Sequence, residues 1–367
     1  MDRKIKIGIF FPKDSEALFN TESEKTFGGA SVQMYGIAKE LSAYPNIETL
    51  SIIPDYSIIS FKDEKHFNLV KLYKPEFGIL AKFLRFVYFY LKHKPDYIIQ
   101  HGLMKESCIM AVFCKIFGSK MIFMFAHDIE VRGLSQTKQK KVAFFKYLLR
   151  NSYKLITQNM YQRQYLLEKY NAASEIIYNG FEPKPFRKKR YAKNLLWVAR
   201  CDKWKAPELF IRLAELNPGY KFTMVCPVSS DESFFNTIKS DAEKIKNLNF
   251  VPFVPFNKID SYFQKASVFV NTSDFEGFPQ VFIQSMINAS PILSLNVNPE
   301  NFITKNRCGF CCNGNFDLLN QNLRKILTNE ELFQKLSKNS YDYADKNHNI
   351  TSNVKQILNL IQPQKPA

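Results

Sequence analysis

In WVARCDKWK, residues 197–205, Arg200 and Lys205 stand five positions apart directly beyond an apolar run. Two cations at that place can neutralise a diphosphate, arginine by a two-pronged contact and lysine as a compact charge. Lys203, between them, fits a solvent-facing cation. In NTSDFEGFPQVFIQSM, residues 271–286, the carboxylate of Glu276 precedes Pro279, which has no N–H to lose in the first turn of a helix. Gln284 then falls about five residues up that helix, roughly 7 Å from its entry, so one small molecule could touch both. Gly28 and Gly29 lie between an apolar run and a helix pattern. They are either an ordinary tight turn or a place where backbone N–H groups approach a phosphate. His127 and Asp128 follow the run KMIFMFA, and His101 ends DYIIQH. Each imidazole is either a satisfied buried side chain or a group presented to a ligand.

The elements around these residues explain their common placement. IKIGIFFP, ETLSIIP, DYIIQHG, KMIFMFAHD and KLITQN in the first half are strand-sized apolar runs, as are NLLWVAR, YKFTMVC, LNFVPFV, SVFVNTS and PILSLN in the second. Helix-length amphipathic segments separate them. That alternation predicts an α/β chain of two Rossmann-like parallel-sheet domains, each covered by helices on both faces. Ligands of open parallel sheets collect at the carboxyl ends of the strands. The expected divisions are a first domain over 1–183, a basic, proline-containing hinge over 184–192, a second domain over 193–345, and a segment over 346–367. In that last segment NVKQILNLI is a helix expected to pack back on the first domain, and QPQKPA a frayed tail.

At 367 residues the chain exceeds the size at which one hydrophobic core usually stops growing. With 46% hydrophobic and 23% charged residues, interspersed, most of its length is not disordered. No apolar run nears the roughly 20 residues of a membrane-spanning helix. The basic start ends its apolar part at Pro12, too soon for an export signal, so a cytoplasmic location is expected. Seven scattered cysteines argue against disulfides. CGFCC, 308–312, has no second pair at zinc-ligand spacing and reads as buried small hydrophobes. No Asp-x-Asp and no His-x-x-x-His occur, so no metal is expected, and a diphosphate would be balanced by side chains and helix dipoles. The net charge is +17, and residues 1–190 carry +13 of it, with 31 Lys and Arg against 18 Asp and Glu. Nucleic acid, anionic lipid and phosphorylated small molecules are all attracted by such a field.

Taken together and in order, GG at 28–29, HD at 127–128, YNGFE at 178–182, WVARCDKWK and FEGFPQVFIQSM resemble the GT-B glycosyltransferases of family 4, retaining enzymes with nucleotide-sugar donors. The resemblance implies two domains facing across a cleft, a UDP-, GDP- or ADP-sugar donor and no further cofactor. It places Arg200 and Lys205 on the donor diphosphate. Glu276 falls on the sugar hydroxyls beside the backbone of Gly277, Phe278 and Pro279, Gln284 on the ribose, and His127 at the donor sugar and acceptor. His127, Glu276, Arg200 and Lys205 are then the catalytic set, with Gly28 and Gly29 among the donor contacts. Two positions depart from the family wording: Gln284 stands where a second glutamate is usual, and Ala206 where glycine is. A neutral hydrogen bond contributes about 0.5–1.5 kcal/mol against about 1.5–3 for a charged one, so Gln284 implies roughly fivefold weaker affinity, not a dead enzyme.

For the acceptor, KFLRFVYFYLKHK at 82–94 and KQKKVAFFKYLLRNSYK at 138–154 combine cations with Phe, Tyr and Leu at helical spacing in the basic half. Such helices either carry an ordinary buried face or lie on anionic lipid. With the family resemblance, they lead to the expectation of a peripheral membrane enzyme acting on a lipid-linked saccharide of a capsule, O-antigen or lipopolysaccharide core. Two rivals stand beside it: a GT-B epimerase of free nucleotide sugars, and a basic nucleic-acid-binding protein. The latter has only charge in its favour, since no recognised nucleic-acid module is present.

Overall fold

The computed structural model describes residues 3–20, 22–23, 25–57, 64–104, 106–132 and 139–361. Lys138 and the tail QPQKPA lie outside them. The chain divides into two compact units: residues 1–180 with 350–367, and residues 181–349.

In the first unit, β1 (Ile5–Phe10), β2 (Ile47–Ile53), β3 (Leu69–Lys71), β4 (Tyr97–His101), β5 (Lys120–Met124), β6 (Lys154–Thr157) and β7 (Glu175–Ile176) form one sheet in the order β3-β2-β1-β4-β5-β6-β7. Every pairing is parallel. The central strands are buried on both faces, which is why they read as nearly unbroken apolar runs. Close packing also fixes Gly8: a Cβ there would come within 2.5 Å of Ile98 on β4. The helix Ile79–His93 buries Phe86, Phe89 and Tyr90 on one side. Tyr90 stacks on Phe113 with centroids 5.6 Å apart. Its other side turns Ile79, Leu80, Phe83, Leu84, Tyr88 and Leu91 to solvent, each at least 50% exposed. The C-terminal helix Ile350–Ile361 belongs to this unit and packs on the helix Gly29–Ser42. Its end is tied down by Tyr97, whose hydroxyl donates to the carbonyl of Ile361 (3.1 Å), and its start by Asn353, which donates to the carbonyl of Tyr178 (2.7 Å).

The second unit holds β8 (Asn194–Val198), β9 (Lys221–Val225), β10 (Leu248–Val251), β11 (Val268–Asn271), β12 (Ile292–Ser294) and β13 (Gly309–Cys311), again all parallel, in the order β10-β9-β8-β11-β12-β13. Successive residues alternate between two cores. Leu195 and Trp197 join Phe210, Phe222 and Leu293 on one face, while Leu196 joins Phe263, Phe269 and Phe282 on the other. CGFCC contributes β13. Gly309 has φ +152°, and a Cβ there would strike the Ile292 carbonyl of β12 at 1.8 Å, so only glycine lets this edge strand pair. Cys308 and Cys312 are buried, Cys311 is half-buried, and all seven cysteines are free.

Residues 184–192 lie inside this unit. The Lys184 ammonium meets Asp260 and donates to Asn288 Oδ1 at 3.2 Å. Lys189, 7% exposed, donates to the carbonyls of Phe263 (2.9 Å), Gln264 (2.8 Å) and Asn288 (2.9 Å), the C-terminal ends of two helices, Phe256–Lys265 and Gln280–Ile287. A cation suits those ends, where unpaired carbonyls carry negative partial charge. Burial lowers the ammonium to about 7, with Asp260 opposing the shift.

Candidate active site

β8 and β11 are neighbours at the point where strand order in the second sheet reverses: β9 and β10 extend to one side, β12 and β13 to the other. Loops leaving the carboxyl ends of two such strands diverge and leave a crevice. The loop after β8 carries Arg200 to Ala206, and the loop after β11 carries Thr272 to Pro279.

Hydrogen bonds stitch these loops together. Trp197, on β8, donates its indole N–H to Thr272 Oγ1 (2.9 Å), and that hydroxyl donates to the carbonyl of Lys205 (2.7 Å). The Asp274 N–H donates to the carbonyl of Trp204 (2.8 Å). The result is an ion pair: the Lys205 ammonium meets the Glu276 carboxylate, which also accepts from Ser273 Oγ at 2.9 Å. Both side chains are nearly enclosed, at 12% and 11% exposure. Burial lowers the Lys205 pKa, Glu276 opposes that shift, and the nearby Arg200 adds to it. Lys205 also lies 3.8 Å over the ring of Trp204, which stacks on Phe275 at 5.1 Å and 15°. Arg200, 47% exposed, is the open cation, with Asp202 3.8 Å from its Nε.

Ala206 explains the turn that aims Lys205. Its φ of +45° and ψ of 55° place it in the left-handed region, at the position directly before the helix Pro207–Glu215. Glycine, which pays no Cβ penalty there, is the residue the family wording leads one to expect. On the other loop, Pro279 sits at the N-cap of Gln280–Ile287, one position earlier than the sequence reading places it. The Phe278 ring packs on Phe302 (5.0 Å) and His348 (4.5 Å), fixing the turn at Gly277. Gln284 is buried on that helix, at 6% exposure. Arg200, Lys205, Glu276 and the 277–279 turn are thus gathered at one strand crossing. Lys205 is paired with Glu276.

The remaining candidates lie in the first unit, also at strand ends. The Gly28 N–H, a candidate phosphate donor, is held by Asp14 Oδ2 at 2.6 Å, and Ser31 Oγ donates to the other oxygen of the same carboxylate at 2.5 Å. Gly29 opens the helix behind it. His127 is exposed just beyond β5. Its neighbour Asp128 accepts from Asn159 and Gln162, both at 3.0 Å. Glu130 clamps the loop by accepting from the N–H groups of Ala126 and Leu103, each at 2.8 Å, and burial raises its pKa. His101 is 1% exposed, and the amide N–H of Gln158 donates to its Nε2 at 2.6 Å. Burial lowers the imidazole pKa to about 4.

Thr272, Ser273, Trp204, Phe275 and Asp14 are partners that no motif spacing marks. The sole hint is adjacency: Trp204 and Phe275 each immediately precede a charged candidate.

Comparison with known proteins bears on the family and the fold. Residues 180–343 match the family model described as Glycosyl transferases group 1, so the second unit carries a glycosyltransferase domain. An uncharacterized glycosyltransferase of Haemophilus influenzae is 26% identical over 170 residues, 44% of this chain and 47% of that protein. The chain thus aligns with about half the length of that relative. Among solved structures, Anabaena HepE in complex with UDP-glucose superposes with a TM-score of 0.75 at 15% identity, covering 98% of this chain and 100% of that one. WaaG, a glycosyltransferase involved in lipopolysaccharide biosynthesis, has a TM-score of 0.69 at 15% identity, covering 98% and 100%. The fold is that of GT-B glycosyltransferases, with two Rossmann-like parallel-sheet domains.

Proposed function

We propose that the protein is a retaining, family 4 glycosyltransferase that moves a hexose-type sugar from a nucleotide-diphosphate donor to a hydroxyl of a lipid-linked saccharide in surface polysaccharide synthesis. The observation that carries this reading is the Lys205–Glu276 pair at the strand-order reversal of the glycosyl transferases group 1 domain, with Arg200 open beside it. Enclosure strengthens that electrostatic site, because charges interact more strongly away from water. Arg200 and Lys205 compensate charge that grows on the diphosphate as the sugar–phosphate bond loosens, which is differential binding of the transition state. Glu276 holds hydroxyls of the donor hexose and orients Lys205. The C1–O bond to the diphosphate breaks, and the acceptor oxygen bonds to C1 on the same face. The acceptor proton passes to the departing phosphate oxygen. His127, exposed on the first unit, serves the donor sugar and acceptor.

HepE was solved with UDP-glucose, which makes that the first donor to try. A melting panel of UDP-, GDP- and ADP-sugars tests the reading, since a ligand at a hundred times its dissociation constant adds about 2.7 kcal/mol. One class should raise the melting temperature and be turned over with release of its nucleotide diphosphate. If no donor shifts melting and none is consumed, the reading falls; conversion of the donor without any acceptor would favour the epimerase instead.

The lipid part rests on the helix Ile79–His93. A contiguous exposed apolar surface marks an interaction site, and here Lys82, Arg85 and Lys92 interleave with six exposed large hydrophobics. Apolar side chains beside cations suit an anionic bilayer surface at the inner face of the plasma membrane. No helix among the described residues is long and apolar enough to cross a membrane. WaaG acts in lipopolysaccharide biosynthesis, which agrees with such an acceptor.

A further inference from the structure

Beside the Lys205–Glu276 pair lies an aromatic surface that neither charge explains. Phe275 is 55% exposed, the most exposed large hydrophobic side chain of the second unit among the described residues; Phe186, Leu216, Val228 and Leu318 range from 38% to 44%. It adds little to the core. Its ring is nevertheless held: it stacks on Trp204 at 15°, and the backbone beneath is bound through Asp274 to Trp204 and through Thr272 to Lys205. An exposed aromatic ring on a rigid base is preorganised for a partner, because little freedom remains to be lost on binding.

We propose that Phe275, backed by Trp204, is a stacking platform for a pyranose ring of the acceptor saccharide. This rests on the glycosyltransferase reading and adds a second sugar subsite to it. The chemistry fits a sugar: the C–H face of a pyranose is weakly positive and apolar, and an aromatic face is its complement. Position separates it from the donor. Lys205 and Glu276, assigned to the donor, are nearly enclosed, whereas Phe275, one residue away in sequence, faces solvent. The ring next to the transferred hexose is by the nature of the reaction an acceptor ring.

Fluorescence offers a direct readout. The chain has two tryptophans, Trp197 at 2% exposure and Trp204 stacked on Phe275, so a sugar response that disappears in Trp204→Phe reports Trp204. The full chain is titrated with the methyl glycosides of glucose, galactose, mannose and N-acetylglucosamine up to about 100 mM, a range that captures millimolar affinities. At least one should give a saturable change, kept in Phe275→Tyr and weakened about tenfold in Phe275→Ala. With an acceptor in hand, Phe275→Ala should raise the acceptor KM about tenfold and leave the donor KM and the donor-induced melting shift unchanged. The proposal is overturned if no glycoside alters the emission, if Phe275→Ala binds as the wild type does, or if the donor KM rises in step. Failure of the glycosyltransferase reading is seen separately, as the absence of any donor-induced melting shift in the wild type.

Discussion

At the carboxyl ends of β4 and β6 the first unit gathers His101 and Gln158; at those of β8 and β11 the second gathers Lys205 and Glu276. The sheets follow one plan, and both clusters are enclosed, yet their chemistry is opposite. In the first, Gln158 donates to His101 and to the carbonyl of Phe125 (2.7 Å) and accepts from Asn179 (2.8 Å), a set of neutral groups that rigidifies the strand ends. The second holds two opposite charges with a third, Arg200, at its mouth. A cluster of neutral groups offers a ligand no net charge. A buried ion pair flanked by the half-exposed Arg200 cation has an electrostatic field to share with one. Placement at a strand end therefore does not by itself make a site.

The comparison breaks first at the charges. Arg200→Ala should lower turnover at saturating donor about 10²–10³-fold, the scale of losing one preorganised charge-stabilising contact, with little change in melting temperature because its side chain is half-exposed. Lys205→Ala should lose as much activity and also stability, since it strands the enclosed Glu276 carboxylate. Steady-state kinetics beside thermal melts separate the two. Unchanged turnover in either variant removes that residue from the mechanism. If these side chains balance the diphosphate, a chelator should leave turnover unaltered.

In the first unit the same logic appears as a pH effect on stability instead of on catalysis. The His101 pKa is lowered by burial to about 4 from 6.5, so below pH 6.5 the unfolded chain takes up a proton that the folded one refuses. Stability should therefore fall as pH drops from about 6.5 to about 4, by about 3 kcal/mol in total, and level off below. Denaturant melts of wild type and His101→Gln across that window check it. A wild-type slope that His101→Gln leaves intact would assign the loss to other groups.

Ten strands are legible in the sequence, and the three that are not, β3, β7 and β13, are all sheet edges of two or three residues. A short edge strand is neither long enough nor buried enough to impose a run of apolar residues. β13 is further masked because CGFCC reads as buried small hydrophobes and holds none of the β-branched residues that mark a strand. Among the site residues, the placement of Arg200, Lys205 and Glu276 at strand ends is legible from the runs that precede them. The pairing of Lys205 with Glu276, 71 positions apart, is not, because it depends on β8 lying next to β11. The Asp14 carboxylate on the Gly28 N–H is hidden for the same reason: the motif shows the donor, not its partner.

A second contrast lies on the surface. The first unit exposes six large hydrophobics along Ile79–His93 where the second exposes scattered single ones. If that row meets lipid, Leu80→Asp with Phe83→Asp should abolish flotation with anionic liposomes, because each charge removes apolar contact and repels the surface. Donor-dependent melting should stay unchanged. Flotation equal to the wild type, or flotation indifferent to anionic lipid, would end the membrane assignment and leave the charged site untouched.

The smallest effect tests how the second unit aims its lysine. Ala206 holds a left-handed conformation that costs an L-residue roughly 1–2 kcal/mol, while glycine adopts it freely at the expense of more freedom in the unfolded chain. The difference leaves Ala206→Gly stabilising by about 0.5–1 kcal/mol. Substitution should not move Lys205, whose carbonyl and ammonium are fixed by Thr272 and Glu276, so turnover should be unchanged while the melting temperature rises. A stabilised variant with lower turnover would mean that strain at Ala206, and not the hydrogen bonds across the two loops, sets the position of the ammonium.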